Sequence, residues 1–236
     1  EAYKPGEWFK FKVRYMAFNV SYAELSVNEK SLHGKKVNHV VGTGKSTGLL
    51  RLFYKVDDRY ESFIDPNTDQ PYRFIRKIDE GGHTKDIEIN FNYKNKQAYV
   101  DNFKYNKRDT IPLKPGAQDM ISAFYFLRNQ VDPTSISVGD TFQLPMYLDE
   151  DSFEFKLEYV ADDVLKTKFG KIQCMIFKPY VMEGRVFKEK EGLSVWISKD
   201  RNKIPIKVKA NLAVGSLTAE LDQFKGLKHS FKILVD

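Results

Sequence analysis

The chain has 236 residues, of which 42% are hydrophobic, 30% charged and 14% aromatic, and its formal net charge is +6 at pH 7. That size and balance belong to a globular domain, and no stretch of about 18 apolar residues offers a membrane-spanning helix. A single cysteine, Cys174, excludes an internal disulfide and any multi-cysteine metal site.

From the start, Phe9, Phe11, Val13 and Tyr15 alternate with Lys10, Lys12 and Arg14. Successive side chains on a strand point to opposite faces, so residues 7–18 read as a strand with one apolar and one wet face. A partner strand follows over 20–28, then a turn at Gly34–Lys35 and a strand over 37–41. Gly42 to Thr47 reads as a turn, and 49–54 fits a short helix or a strand equally well. Arg59–Ile64 is a strand ended by Asp65–Pro66–Asn67, where Pro sets φ and the Asx side chains cap. Strands over 70–78 and 84–93 flank a hairpin turn at Glu80–Gly81–Gly82, and a further run covers 97–104.

Lys114–Pro115–Gly116 breaks the alternation. Met120, Ile121, Ala123, Phe124, Tyr125, Phe126 and Leu127 then give a helix at about 118–129 that is apolar all round, and such a helix is buried. Asp119 at its start and Arg128 near its end suit the helix dipole; as buried charges they would need partners, with Arg59, Asp65 or Asp200 as conceivable mates. After Asp132–Pro133, strands resume over 141–148, 152–160, 164–167, 172–180 and 193–198. Turns are expected at Gly139–Asp140, Asp162–Asp163 and Gly170–Lys171. Runs over 204–210, 215–222 and 231–235 complete the chain, and Pro205 argues for an edge position or a bulge. With no linker-like stretch, the expectation is a single domain over 1–236 with two halves joined near 130–139. Its class is all-β, a curved antiparallel barrel or half-barrel whose concave interior is filled at one end by the helix.

Motifs for chemistry are weak. Gly42-Thr43-Gly44-Lys45-Ser46-Thr47 has the end of a phosphate loop, but its first glycine would have to stand at position 39, which is His39. His33, His39, His83 and His229 show no metal-type spacing, and Cys174 lies in an apolar strand as a small hydrophobe. The acids Asp149-Glu150-Asp151 and Asp57-Asp58 read as solvated turns. No catalytic, cofactor or metal residues are assigned, and no ligand-binding residue can be named. The lysines are dispersed and no nucleic-acid signature accompanies them, so the positive charge reads as a solvated surface without a nucleic-acid partner.

The ordered segments Lys55-Val56-Asp57-Asp58-Arg59-Tyr60-Glu61, Gln118-Asp119-Met120-Ile121-Ser122-Ala123-Phe124, Leu193-Ser194-Val195-Trp196-Ile197-Ser198 and Gly215-Ser216-Leu217-Thr218 resemble a family of exported Gram-negative bacterial proteins known as a domain of unknown function. The style of the sequence is that of a Bacteroidetes member. The resemblance implies a periplasmic or outer-envelope protein whose β-barrel fold is similar to a lipoprotein of capsule-export systems. It supplies no catalytic residues. The start at Glu1–Ala2, without an initiator Met, fits removal of a secretory signal and equally a start chosen by cloning; a lipid anchor would need a Cys there.

The leading expectation is non-catalytic binding of a lipid, a glycan or an envelope protein, by a monomer without cofactor. An apolar interior would favour lipid, and exposed flat rings beside acids and amides would favour glycan. The competing class is a carboxylate-dependent enzyme on envelope polysaccharide, with Asp65 or Asp119 facing Asp200 across a cleft. A transmembrane barrel is a third reading, opposed by the oily central helix and by Lys and Glu on the wet faces.

Overall fold

The computed structural model describes the chain except for residues 49–50, 52–53, 184–185, 190–191 and 235–236; for Glu183 and Val186–Glu189 it gives the backbone. In chain order the strands are β1 (Trp8–Tyr15), β2 (Phe18–Leu32), β3 (Lys35–Ser46), β4 (Asp57–Ile64), β5 (Pro71–Glu80), β6 (His83–Asn92), β7 (Gln97–Asn102), β8 (Lys107–Pro112) and β9 (Gln118–Asp119). Helix α1 (Met120–Gln130) follows. Then come β10 (Thr141–Leu148), β11 (Asp151–Thr167), β12 (Gly170–Glu183), β13 (Val186–Glu189), β14 (Leu193–Ser198), β15 (Pro205–Asn211) and β16 (Ser216–Lys225).

All of these strands belong to one sheet, ordered from β8 down to β1, then β16, β15, β14, β12, β11, β10 and β9, with β13 paired to β12 off this path. Neighbours are antiparallel except for the two-residue pairing of β9 with β10. The sheet does not close on itself; its curvature is that of a half-barrel. Because β1 pairs with β16, the two parts of the chain join through its ends. Tight hairpins set the register of the first part. Gly81 and Gly82 both have positive φ between the paired Glu80 and His83, the conformation that a two-residue hairpin loop needs.

The alternating pattern places its apolar faces as expected, with Phe9 of β1 and Phe74, Ile87, Ile89 and Val100 of β5 to β7 fully buried. Several local signals resolve differently. Gly42 to Ser46 is no turn: these residues continue β3, with Gly42 between Leu25 and Tyr60. A Cβ at Gly42 would stand 3.5 Å from Leu25 Cδ1 and 3.9 Å from Ile121 Cδ1, which places Gly42 beneath α1 at ordinary contact distance. The turn expected at Asp162–Asp163 is also absent. β11 runs through with a bulge beside Tyr159, because Lys199 Nζ and Trp196 Nε1 donate to these two carboxylates at 2.6 and 2.8 Å. Strand β8, which the pattern missed, is polar and only six residues long. The terminal strand at 231–235 reduces to a single bridge from Leu234 to Lys171, with residue 235 outside the described residues. Pro205 opens β15 beside a register shift opposite Trp196 and Ile197, in line with the bulge. The ambiguous segment 49–54 lies mostly outside the described residues.

Candidate functional site

Helix α1 begins at a fully buried N-cap. Asp119 Oδ1 accepts from the backbone N–H of Ile121 and Ser122, both at 2.8 Å, and Ser122 Oγ accepts from Asp119 N at 2.9 Å. This reciprocal box satisfies N–H groups that a helix start leaves orphaned. Asp119 Oδ2 accepts from Ser62 Oγ of β4 at 2.6 Å, which ties the helix to the first part of the sheet. Burial pushes the Asp119 carboxyl up to about 6, against the pull of these donors.

At the other end, Arg128 is buried. Its Nη1 and Nη2 donate to Glu7 Oε1 and Oε2 at 2.6 and 2.8 Å, and Nη2 also donates to the Asn202 carbonyl at 2.8 Å. Burial works against the charged guanidinium, but the Glu7 carboxylate outweighs it and holds the pKa above the ordinary value. The partner of Arg128 is thus Glu7, and not Arg59, Asp65 or Asp200.

One stripe of α1 stays partly uncovered. Met120, Ala123, Phe124, Leu127, Arg128 and Val131 recur at helical spacing and line a cavity of about 260 Å³. Its opposite wall is the concave face of the second part of the sheet: Met146 of β10, Phe155 and Leu157 of β11, Phe177 and Pro179 of β12, and Leu193, Val195 and Ile197 of β14. Phe155 and Leu157 are among the alternating apolar residues of the 152–160 strand. They are half-buried here because a cavity stands where a packed core would have covered them. The charged side chains of the wall are Arg128 and Lys203. Lys203 Nζ donates to the carbonyl of Val131, the helix C-cap, at 2.8 Å. Burial, and then the charge of Arg128, hold the Lys203 pKa below the ordinary lysine value.

The candidate acids are not brought together. Asp65 accepts from Asn67 N, Thr68 N and Tyr72 Oη, and Asp200 from Ser198 Oγ, Asn202 N and Lys203 N, so Asp65, Asp119 and Asp200 share no hydrogen-bond partner. Asp149 is not a solvated turn residue: Arg76 donates to it at 2.6 and 2.8 Å, and Lys85 pairs with it too. Burial would raise its pKa, but the bonds from Lys85 and Arg76 prevail and keep the carboxyl below the usual range. Asp58 is also buried, and burial, with the neighbouring Glu80 charge, pushes it up to about 6. His39 is buried, stacked on Phe63 and 2.6 Å from Glu61, and His229 lies 3.0 Å from the Glu1 carbonyl. Among the described residues no group of three His, Cys, Asp or Glu could hold a metal ion. Cys174 is a free, buried thiol pushed up to about 12 by burial. Sequence reasoning missed Glu7 and Lys203. The only signal for Lys203 was its place in a polar turn after Asp200.

No curated protein matches the chain. Among solved structures, the fold is similar to a β-barrel-like protein of the DUF1849 domain of unknown function from Brucella abortus. The TM-score is 0.59 and the identity 8%, over 95% of this chain and 98% of that one. A candidate exported protein with a YmcC-like fold from Bacteroides fragilis has a TM-score of 0.33 at 10% identity over 94% of this chain and 97% of its own. A candidate lipoprotein from Parabacteroides distasonis has 0.34 at 12%, over 94% and 96%. Residues 10–222 match the family described as protein of unknown function (DUF3108), and the chain belongs to that family.

Proposed function

We propose that this protein is an exported component of the bacterial envelope that binds the acyl chain of a lipid, without catalysis, in the cavity between α1 and the concave sheet. The observation that carries the reading is the lining. Phe124, Leu127, Met146, Phe155, Leu157 and Val195 present apolar atoms to an open space of about 260 Å³, and the charged groups are confined to Arg128 and Lys203. Apolar surface facing such a space is stabilised by an apolar occupant, and pockets of this composition are usual small-molecule sites. A glycan would call for several polar side chains converging on the same space, and this wall offers few. The exported setting rests on the likeness of the sequence to exported Gram-negative proteins.

Native mass spectrometry on protein purified from its host's envelope tests the proposal. A bound mass of lipid size that leaves on unfolding is expected, together with saturable binding of a fluorescent fatty acid by the delipidated protein. Replacement of Ala123 by Trp, which fills the cavity, should abolish dye binding while the fold is retained. A clean protein mass and no saturable dye binding would overturn the proposal.

A further inference from the structure

The cavity has a direction. Its helical stripe from Met120 to Val131 covers three turns, roughly 16 Å at 1.5 Å per residue. Met120, at one end, is 42% exposed, whereas Val131 and Lys203, at the other, are 6% and 8% exposed. The apolar space therefore leads from a wet mouth to an ammonium group at its buried end.

That ammonium is under-partnered. Lysine carries three N–H donors, and one of them goes to the Val131 carbonyl. Arg128, the other cation of the wall, is engaged by Glu7, and among the described residues no carboxylate is in direct ion-pair contact with Lys203 Nζ. Asp200 spends Oδ1 on Ser198 Oγ and the backbone N–H of Asn202 and Lys203, and Asp132 spends its oxygens on Thr134 and Ser135. A buried charge without a counter-charge is costly.

Resting on the acyl-binding reading, we infer that the natural ligand is a single-chain fatty carboxylate bound head-first, its carboxylate on Lys203 Nζ and its tail running along Leu127 and Phe124 towards Met120. One ammonium balances one negative charge in a dry site. A phosphate monoester would bring a second charge with no partner, since Arg128 already belongs to Glu7. Burial and the Arg128 charge lower the pKa of Lys203, and the carboxylates of Asp132 and Asp200 offset this only in part.

Displacement of a fluorescent fatty acid by tetradecanoate, tetradecanol and tetradecyl phosphate, on the full chain, tests the inference. Tetradecanoate should displace the dye at about tenfold lower concentration than tetradecanol, the usual gain from a hydrogen bond to a charged group. In Lys203→Met the acid and alcohol should become equal, with alcohol binding preserved, and Lys203→Arg should restore part of the preference. Equal affinity of acid and alcohol in the unmodified protein, or a preference for the phosphate, would overturn the carboxylate anchor while leaving acyl binding intact. Absence of binding by all three would overturn both. If Lys203→Met fails to fold because the helix loses its C-terminal partner, the acid-to-alcohol ratio of the unmodified protein still decides.

Discussion

A guanidinium buried among aromatic rings joins three segments far apart in the chain. Arg128 lies 5.2–5.7 Å from the ring centroids of Tyr3, Phe9, Phe124 and Tyr125, and it bonds Glu7 just before β1 and the Asn202 carbonyl before β15. Taking both charges out of water is expensive, so the intact pair contributes little net stability. Removing one member leaves the other unpaired, which costs about 3–5 kcal/mol. Arg128→Met should therefore lower the melting temperature by about 10 °C, the scale expected for a chain of this length. The double change Glu7→Gln with Arg128→Met should recover most of that loss, because no bare carboxylate remains. A double variant as unstable as the single one would show that the cost lies in lost packing against the rings. The need for a partner is legible in the sequence, since an arginine on an oily helix cannot stay unpaired. Its identity is not, because Glu7 stands 121 residues away in sequence.

At the scale of elements, α1 is placed by its cap. Asp119 satisfies two helix N–H groups and receives the Ser62 hydroxyl, while Ile121 lies over Gly42 of β3. Asp119→Ala should cost about 2–4 kcal/mol in urea unfolding, combining a lost cap with an orphaned buried hydroxyl. Asp119→Asn keeps an acceptor oxygen and should lose less than half as much; equal losses would show that the carboxylate charge, and not the acceptor geometry, holds the helix start. The buried helix and most of the strands could be read from periodicity, because burial of one face imposes it on the residues themselves. Gly42–Ser46 and Asp162–Asp163 could not. Both carry turn chemistry, and both are held extended by partners remote from them, the β2 and β4 ladders for one and Trp196 with Lys199 for the other. The apolar alternation of Phe153, Phe155 and Leu157 was equally plain, but a strand face reads the same whether a packed core or a cavity lies opposite. The candidate site was therefore legible as a surface and illegible as a space.

For the whole molecule, an open sheet has two edges to manage, and unpaired edges invite pairing with other chains. Here the ends are joined by side chains instead of a backbone ladder. Tyr147 of β10 donates to the Pro112 carbonyl at the end of β8 and accepts from Lys114 N, at 2.7 and 2.9 Å. Beyond it, the turn between β10 and β11 contacts β5, β6 and β7, where Asp149 takes Arg76 and Lys85 and Glu150 takes Asn102 at 2.7 Å. This latch bears on the cavity, because β10 turns Met146 to the cavity wall and Tyr147 to the opposite face, against Phe91. Asp149→Asn removes the counter-charge of two partly buried cations and should destabilise by about 2–3 kcal/mol, within the range for losing charged hydrogen bonds. The location of the loss is the sharper test. Hydrogen exchange should accelerate first in β8, in residues 148–151 and along β10, while the β1, β2 and β16 ladder keeps its protection, since local opening follows the weakest cooperative unit. A uniform rise in exchange across the sheet would mean that the ends are held by the core itself. Localised opening would instead make the latch the gate to the cavity wall, and acyl-chain affinity should then fall in Asp149→Asn although no residue touching the cavity has changed.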